Sequence, residues 1–407
     1  MPTRAAPAWV EVAARFFRLG LTSFGGPVAH LGYFRREFVE KAGWLEDAAF
    51  GEIVALCSVL PGPSSSQVGI VLGALRAGPA GAFAAWVCFA APSAVALACF
   101  GVALRTANAH AGGALPAWLT GALTGLQGAA SAVVLVALMG MFRSLAATSL
   151  RRWIAALAWI LALASIVYAP QLQWVPLVVG GALGATFAHD AAALPPTAPF
   201  LHVPRSAGIA SAALLLLALV ALPLLAHGGY AALFATFFRA GSLVFGGGHV
   251  VLPFLQSLVG PGTVDVRDFF AGYGAAQAAP GPLFTFSAFL GAVDEQSASA
   301  WAGALVALLG IFAPSFLLLP AGVALWSNLR RLSRAGATLA GLNAAVVGLL
   351  AAVFVDPIGL ALVRAPLAAA LGAVALAAFV RWNAPAWLVV LGSAACGAAL
   401  ASFTPLR

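Results

Sequence analysis

Charge is what this 407-residue chain has least of: Asp, Glu, Lys and Arg together make up 8% of it, and only twelve residues are acids. A soluble globular domain carries about a quarter charged residues, so the chain falls outside that class. With so few acids, most of them in loops, pairs for general acid–base work are scarce. His-Glu-x-x-His, Gly-x-Ser-x-Gly, Gly-x-x-x-x-Gly-Lys and Asp-rich diphosphate motifs do not occur. An enzyme reading therefore ranks last. Cysteine is scarce too. Cys57, Cys88, Cys99 and Cys396 stand isolated in apolar segments, which gives no metal-ligand spacing and reads as helix-packing thiols. Neither a metal nor a cofactor is expected. Residues 1–10 lack the apolar core and small-residue cleavage site of a signal peptide.

Apolar residues are what the chain has in plenty, at 62% with a mean hydropathy of +1.01. Long apolar stretches recur at 81–104, 115–142, 153–167, 172–188, 209–226, 300–326, 339–355 and 367–380. Each is close to or above the roughly 20 residues that span a hydrocarbon core. The chain reads as an all-α polytopic membrane protein surrounded by lipid. Its formal net charge of +8 does not point to nucleic acid, because the arginines are scattered at the ends of apolar segments and form no stripe. They read as topology determinants.

The chain also repeats itself. Phe17-Arg18-Leu19-Gly20-Leu21-Thr22-Ser23-Phe24-Gly25-Gly26 returns as Phe238-Arg239-Ala240-Gly241-Ser242-Leu243-Val244-Phe245-Gly246-Gly247. Pro61-Gly62-Pro63 returns as Pro280-Gly281-Pro282, and Ala91-Pro92-Ser93 as Ala313-Pro314-Ser315. Three matches in the same order indicate a duplicated membrane unit, the build of many secondary transporters. The pattern predicts helices near 9–22, 46–60, 64–76, 79–104, 115–142, 152–169 and 174–188. They are repeated near 230–244, 265–279, 283–293, 299–325, 336–355, 358–380 and 385–403, with a connector helix near 207–226. The expected division is residues 1–190, a linker and connector at 191–229, and a second repeat at 230–407.

Arg143, Arg151 and Arg152 mark one cytoplasmic loop, and Arg330, Arg331 and Arg334 another. The first cluster follows the helix at 115–142, whereas the second precedes its counterpart at 336–355. The loop at 292–299 carries Asp294 and Glu295 but no Arg, as expected outside, while its first-half equivalent carries Arg76. Equivalent helices should thus run in opposite directions, as inverted-topology repeats.

A helix cannot continue through Pro-Gly-Pro, since two prolines remove donors and clash with the preceding turn. Each motif should split a segment into half-helices, and broken backbone persists in a membrane only where protein or a watery cavity satisfies it. The following half-helix then offers free N–H groups and a positive dipole end to an anion. Pro61, Gly62, Pro63, Ser64, Ser65, Ser66 and Gln67 form that constellation in the first half. Gln277, Pro280, Gly281, Pro282, Thr285 and Ser287 form it in the second. The turns at Ser23, Gly25, Gly26 and Pro27 and at Gly246, Gly247 and Gly248 are further candidate breaks, with close helix packing as the plainer reading. Both Pro-Gly-Pro breaks are expected to line one cavity near the bilayer midplane.

Arg18 and Arg239 recur at matching positions. A buried Arg costs about 2.5–3.5 kcal/mol at a helix centre, so a repeated one suggests two cations converging on a dianion; snorkelling to the headgroups is the alternative. Arg15 lacks a counterpart, since Thr236 stands at its equivalent position. His30, His249 and Glu52 are candidates for carrying a coupled proton, although satisfied helix-end histidines would look the same.

These phrases, with Val28-Ala29-His30, Trp44, Leu56-Cys57, His249-Val250-Val251-Leu252-Pro253 and Ala276-Gln277-Ala278-Ala279, resemble the chromate ion transporter family in its long, two-domain bacterial form. The likeness covers nearly the whole chain. One departure is Ser58, where the family's first half often has Gln; Gln277 keeps it in the second half. The resemblance implies chromate efflux across the bacterial inner membrane, energised by the membrane potential or an ion gradient and giving chromate resistance. Sulfate or another oxyanion, a passive anion channel of the same fold, and a homodimeric assembly all remain compatible with the sequence.

Overall fold

The computed structural model describes residues 7–110, 115–168, 172, 174–187, 201–244, 252, 255–256, 264–331 and 334–403. The first half contains α1 (Ala8–Thr22), α2 (Gly26–Phe34), α3 (Asp47–Val59), α4 (Ser64–His110), α5 (Ala117–Leu145), α6 (Ser149–Tyr168) and α7 (Val175–Phe187). The connector is α8 (Arg205–Leu225). Then follow α9 (Gly229–Leu243), α10 (Val266–Ala278), α11 (Phe286–Val293), α12 (Ala300–Arg331), α13 (Ala335–Val353), α14 (Leu360–Arg364), α15 (Pro366–Trp382) and α16 (Ala386–Phe403). No strand occurs among the described residues. Seven of these segments are long and apolar enough to cross a membrane: α4, α5, α6, α8, α12, α13 continued through α14, and α16. Helices suit this setting because they satisfy every backbone group within the segment. The chain is an all-α, multi-pass membrane protein.

Two local features go beyond the expected pattern. The chain breaks at Gly25 and Gly26, both with positive φ, and an unexpected helix, α2, starts at Gly26, with Pro27 in the first turn where its missing N–H costs nothing. It continues as a π-helical turn, Arg35–Lys41. That turn buries Phe38 completely, stacked on Phe16 at 4.8 Å and close to Trp44 at 4.5 Å. Five charged residues in 35–41 hid this apolar anchor from a periodicity reading. The helix expected at 358–380 is likewise two pieces, α14 and α15, divided at Ala365, whose backbone leaves the helical region (φ −127°, ψ 79°) before Pro366.

Helix α4 folds back on itself. At Ala77 and Gly78 the backbone leaves helical angles, giving arms 64–76 and 79–110. The arms meet so closely that a Cβ on Gly73 would strike the Gly81 carbonyl. Helix α1 lies along the second arm, with Gly20 against the Phe89 carbonyl, and α9 lies on α12 in the same way, with Gly241 against the Ile311 carbonyl.

The halves also exchange partners. Helix α5 packs on α16 through Gly121–Gly397 and Gly125–Ser393, an antiparallel ladder, and on α15 through Gly128–Ala368 and Ala132–Ala375, a parallel one. Helix α13 packs on α7 through Ala337–Gly184 and Ala345–Gly180, and on α6 through Gly348 against Ala155 and Trp159. Small residues let these backbones approach, as membrane helix packing requires. Helix α8 adds an asymmetric cover: Leu215 packs with Phe238 and Leu318, and Gly208 meets Ala324.

Candidate functional site

Helix α3 stops at Val59 and α4 begins at Ser64, with Pro61-Gly62-Pro63 between them; α10 stops at Ala278, and a 3₁₀ turn at Leu283–Thr285 leads into α11. Gly62 (φ 109°) and Gly281 (φ 93°) both take left-handed backbone, which an L side chain adopts only at a cost. Their N–H groups cross to the other half. Gly62 N–H donates to the Val244 carbonyl at 2.6 Å, and Gly281 N–H to the Ser23 carbonyl at 2.8 Å. Ser23 and Val244 are equivalent positions at the ends of α1 and α9, so each break is seated on the opposite half's repeated helix end.

Side chains extend the exchange. Gln67 donates from Nε2 to the Pro61 carbonyl at 2.6 Å and to Ser315 Oγ at 3.4 Å. Thr285 Oγ1 lies 2.7 Å from the Pro282 carbonyl and 3.0 Å from Ser93 Oγ. Gly281 also abuts Ser93 and the Gly20 carbonyl, as Gly62 abuts Ser315 and the Gly241 carbonyl. Ser93, Ser315, Gly20 and Gly241 were not among the sequence-derived candidates. The signal was present in the repeated Ala-Pro-Ser and Arg-x-Gly phrases, but only packing shows that each serves the other half's break.

His30 is fully buried on α2, edge-on to Phe89 at 5.3 Å. Its Nε2 lies 3.2 Å from the Ser23 carbonyl and its Nδ1 lies 3.3 Å from Ser65 Oγ. A carbonyl only accepts, so Nε2 carries the proton and Nδ1 accepts from the serine hydroxyl. One imidazole thus joins the first half-helix of α4 to the carbonyl that holds Gly281. Glu52 is buried on α3. His249, Gly246 and Gly247 lie outside the described residues.

A cavity of about 240 Å³ opens where the second break meets the first half's glycine turn, with Gly25, Gly26, Gln277, Gly281, Leu283 and Ala386 among its lining residues. The expectation of one cavity between both breaks changes here. Gly62 does not line this cavity, because it is seated against Gly241 and Ser315 instead. Pro61, Pro63, Ser64, Ser66 and Gln67 stay with it on that side. Several buried polar atoms around the two breaks find no partner among the described residues: Ser23 Oγ, Ser66 Oγ, Gln67 Oε1 and Ser287 Oγ. Buried polar groups are normally paired; the Gln277 amide, which meets the Tyr273 side chain, lines the cavity, and its second N–H suits a ligand rich in acceptors.

Arg18 is exposed on α1 and Arg239 half-buried on α9, and neither lines the cavity. The connector explains the difference: α8 covers the α9 face, leaving Phe238 at 3% exposure, whereas its equivalent Phe17 is 48% exposed. Ser58, at the departure noted above, is also exposed and turned back to the Val54 carbonyl. Among the described residues no group of His, Cys, Asp and Glu could hold a metal ion.

The chain is 30% identical to a chromate transport protein of Pseudomonas aeruginosa over 364 residues, covering 87% of this chain and 83% of that one. It is 27% identical to a chromate transport protein of Cupriavidus metallidurans over 83% of this chain and 80% of the relative. A probable chromate transport protein of Synechococcus elongatus is 28% identical over 76% of this chain and 74% of its own. No solved structure matches the chain. The family model for chromate transporters matches residues 10–186 and 231–398, taking in both repeats, and the chain belongs to the chromate transporter family.

Proposed function

We propose that this protein is a secondary transporter that moves chromate out of the cell across the inner membrane, by alternating access between two inverted repeats, residues 1–190 and 230–407. The observation that carries the reading is the reciprocal seating of Gly62 on Val244 and of Gly281 on Ser23. Breaks held by the opposite half allow one half to rock against the other while the site stays assembled. The ladders support the inversion. Helices α5 and α6 are joined by a short turn and so run antiparallel, yet α15, the equivalent of α6, runs parallel to α5.

The substrate is placed in the cavity between Gly25, Gly26, Gln277 and Gly281. Its 240 Å³ can take a tetrahedral oxyanion with part of its hydration. The start of α2 and the Gln277 amide would supply hydrogen-bond donors, with the dipole end favouring negative charge. Arg18 and Arg239, five residues before the seated carbonyls at Ser23 and Val244, would draw the dianion toward the cavity rather than bind it directly. Pro280, Pro282 and Thr285 shape the break, and Pro61, Pro63, Ser64, Ser66 and Gln67 do so on the other side.

The test is radiolabelled chromate and sulfate flux in oriented vesicles, with and without a pH gradient. Wild-type protein should carry chromate, and Gln277→Leu should cut the flux more than tenfold at unchanged protein level. Gln277→Asn should recover part of it. Flux that is unchanged in Gln277→Leu would move the site elsewhere, and flux that follows only the anion's own electrochemical gradient, with no response to the pH gradient and no exchange, would favour the passive channel.

A further inference from the structure

A second concavity lies away from the breaks, where the α5–α6 hairpin meets α13. Gly348 touches the Ala155 carbonyl and Trp159 so closely that α6 and α13 nearly merge there. On one side of that contact the helices part and leave a slot of about 380 Å³, walled by Leu138, Phe142 and Trp159 and floored by Gly348. It is apolar along its length except at one end, where Arg143 and Arg152 line it. Those two arginines flank the turn at 146–148.

Their electrostatics are unusual for so apolar a slot. Neither guanidinium has a carboxylate partner among the described residues. Arg152 is held in place by its own turn, with Nε donating to the Ala146 carbonyl at 3.2 Å and Nη2 to the Ala147 carbonyl at 3.4 Å. That leaves Nη1 available and the group fixed in position. Arg143, on the last turn of α5, is exposed. Phe142 and Trp159 are 45% and 38% exposed beside it, so the slot opens to the protein's outer surface, which for a spanning helix is lipid. A narrow apolar slot capped by two cations matches one ligand shape: a long hydrocarbon chain with an anion at its end. Basic pockets between spanning helices recognise acidic headgroups in this way, and the arginine fork matches phosphate oxygens.

We propose that this slot is a binding site for an anionic phospholipid, with an acyl chain lying along α13 between Phe142 and Trp159 and the headgroup phosphate on Arg143 and Arg152. Bound there, the lipid fastens the α5–α6 turn to α13, a contact between the two halves that does not involve the transport cavity.

The test is native mass spectrometry of the full chain in detergent, offered equal amounts of dioleoyl phosphatidylglycerol and dioleoyl phosphatidylcholine. Wild-type protein should retain the anionic lipid about tenfold over the zwitterionic one. That preference should fall severalfold in Arg143→Gln, which changes an exposed side chain, and also in Ala156→Trp, which fills the slot without touching its charge. Arg381→Gln, an exposed arginine on α15, should leave it unchanged. Glycerol phosphate at millimolar concentration should not displace the lipid; full displacement would make this a site for free phosphate and overturn the proposal. Equal retention of the two lipids by wild-type protein, or a preference that survives Arg143→Gln, would also overturn it.

Discussion

At the scale of single residues, two glycines and one histidine hold the breaks together. Gly281 is left-handed, and a Cβ there would sit 3.0 Å from Ser93 Oγ and 3.2 Å from the Phe89 carbonyl. Left-handed backbone costs an L residue roughly 1–2 kcal/mol, and the crowding adds to it. Gly281→Ala and Gly62→Ala should each reduce chromate flux at least tenfold. Gly51→Ala, on an exposed face of α3 with open space around it, should leave it intact; vesicle flux normalised to protein level would read this. His30→Ala removes both ring contacts and leaves a buried void, for an expected loss of about 2–4 kcal/mol. Gln, which can still donate to the Ser23 carbonyl, should recover part of the thermal stability in detergent. If His30→Ala melts like wild type, the imidazole does not hold the Ser23 carbonyl in place.

At the scale of elements, the start of α1 is tied to the α4 bend and the π-helical turn by charge. Glu11 accepts from Arg15 at 3.0 Å and from Arg76 at 2.8 Å, and Arg15 also reaches Glu37 at 2.6 Å. Trp44 lies under both guanidiniums, 5.8 Å from Arg15 and 5.5 Å from Arg76. The hydrogen bond from Arg76, together with its charge and that of Arg15, holds the Glu11 carboxyl below its usual 4.5. A carboxyl depressed in the folded state contributes stability above its unfolded pKa and loses it as pH falls through the folded value. The tie is therefore intact at neutral pH and weakens below pH 4.5. Glu11→Gln should lower the melting temperature slightly at pH 7 and flatten its fall in acid, since partly exposed pairs contribute little each. A variant whose acid profile matches wild type would show that other carboxylates govern it.

At the scale of the whole molecule, the exchange of partners predicts a topology. If the repeats are inverted, the turn at 146–148 and the segment before α13 face the same compartment. In a background without native cysteines, Ala147→Cys and Arg334→Cys should both react with a membrane-impermeant maleimide only from the cytoplasmic side. Labelling from opposite sides would remove the inversion and, with it, the rocking mechanism. The same experiment places the Arg143–Arg152 slot in one leaflet.

Much of this was legible in the chain because it is local. Apolar runs long enough to span a membrane, and prolines that cannot continue a helix, act on their own neighbours, so α4, α5, α12 and both breaks fall close to where the pattern puts them. Repetition at Gly62 and Gly281 marked the equivalent positions. The partners of those positions were not legible. That Gly281 meets Ser23 rather than Gly62, that Ser93 serves Thr285, and that α8 shields Phe238 while Phe17 stays exposed are long-range choices, fixed by which surfaces pack once all the helices are present. The π-helical turn escaped for a related reason: five of its seven residues are charged, and its apolar anchor is evident only once Phe38 is seen packed between Phe16 and Trp44. Sequence determined the helices, their breaks and the duplication. Tertiary structure alone decided that each break is seated in the other repeat, because that pairing depends on the fit of small residues and carbonyls far apart in the chain.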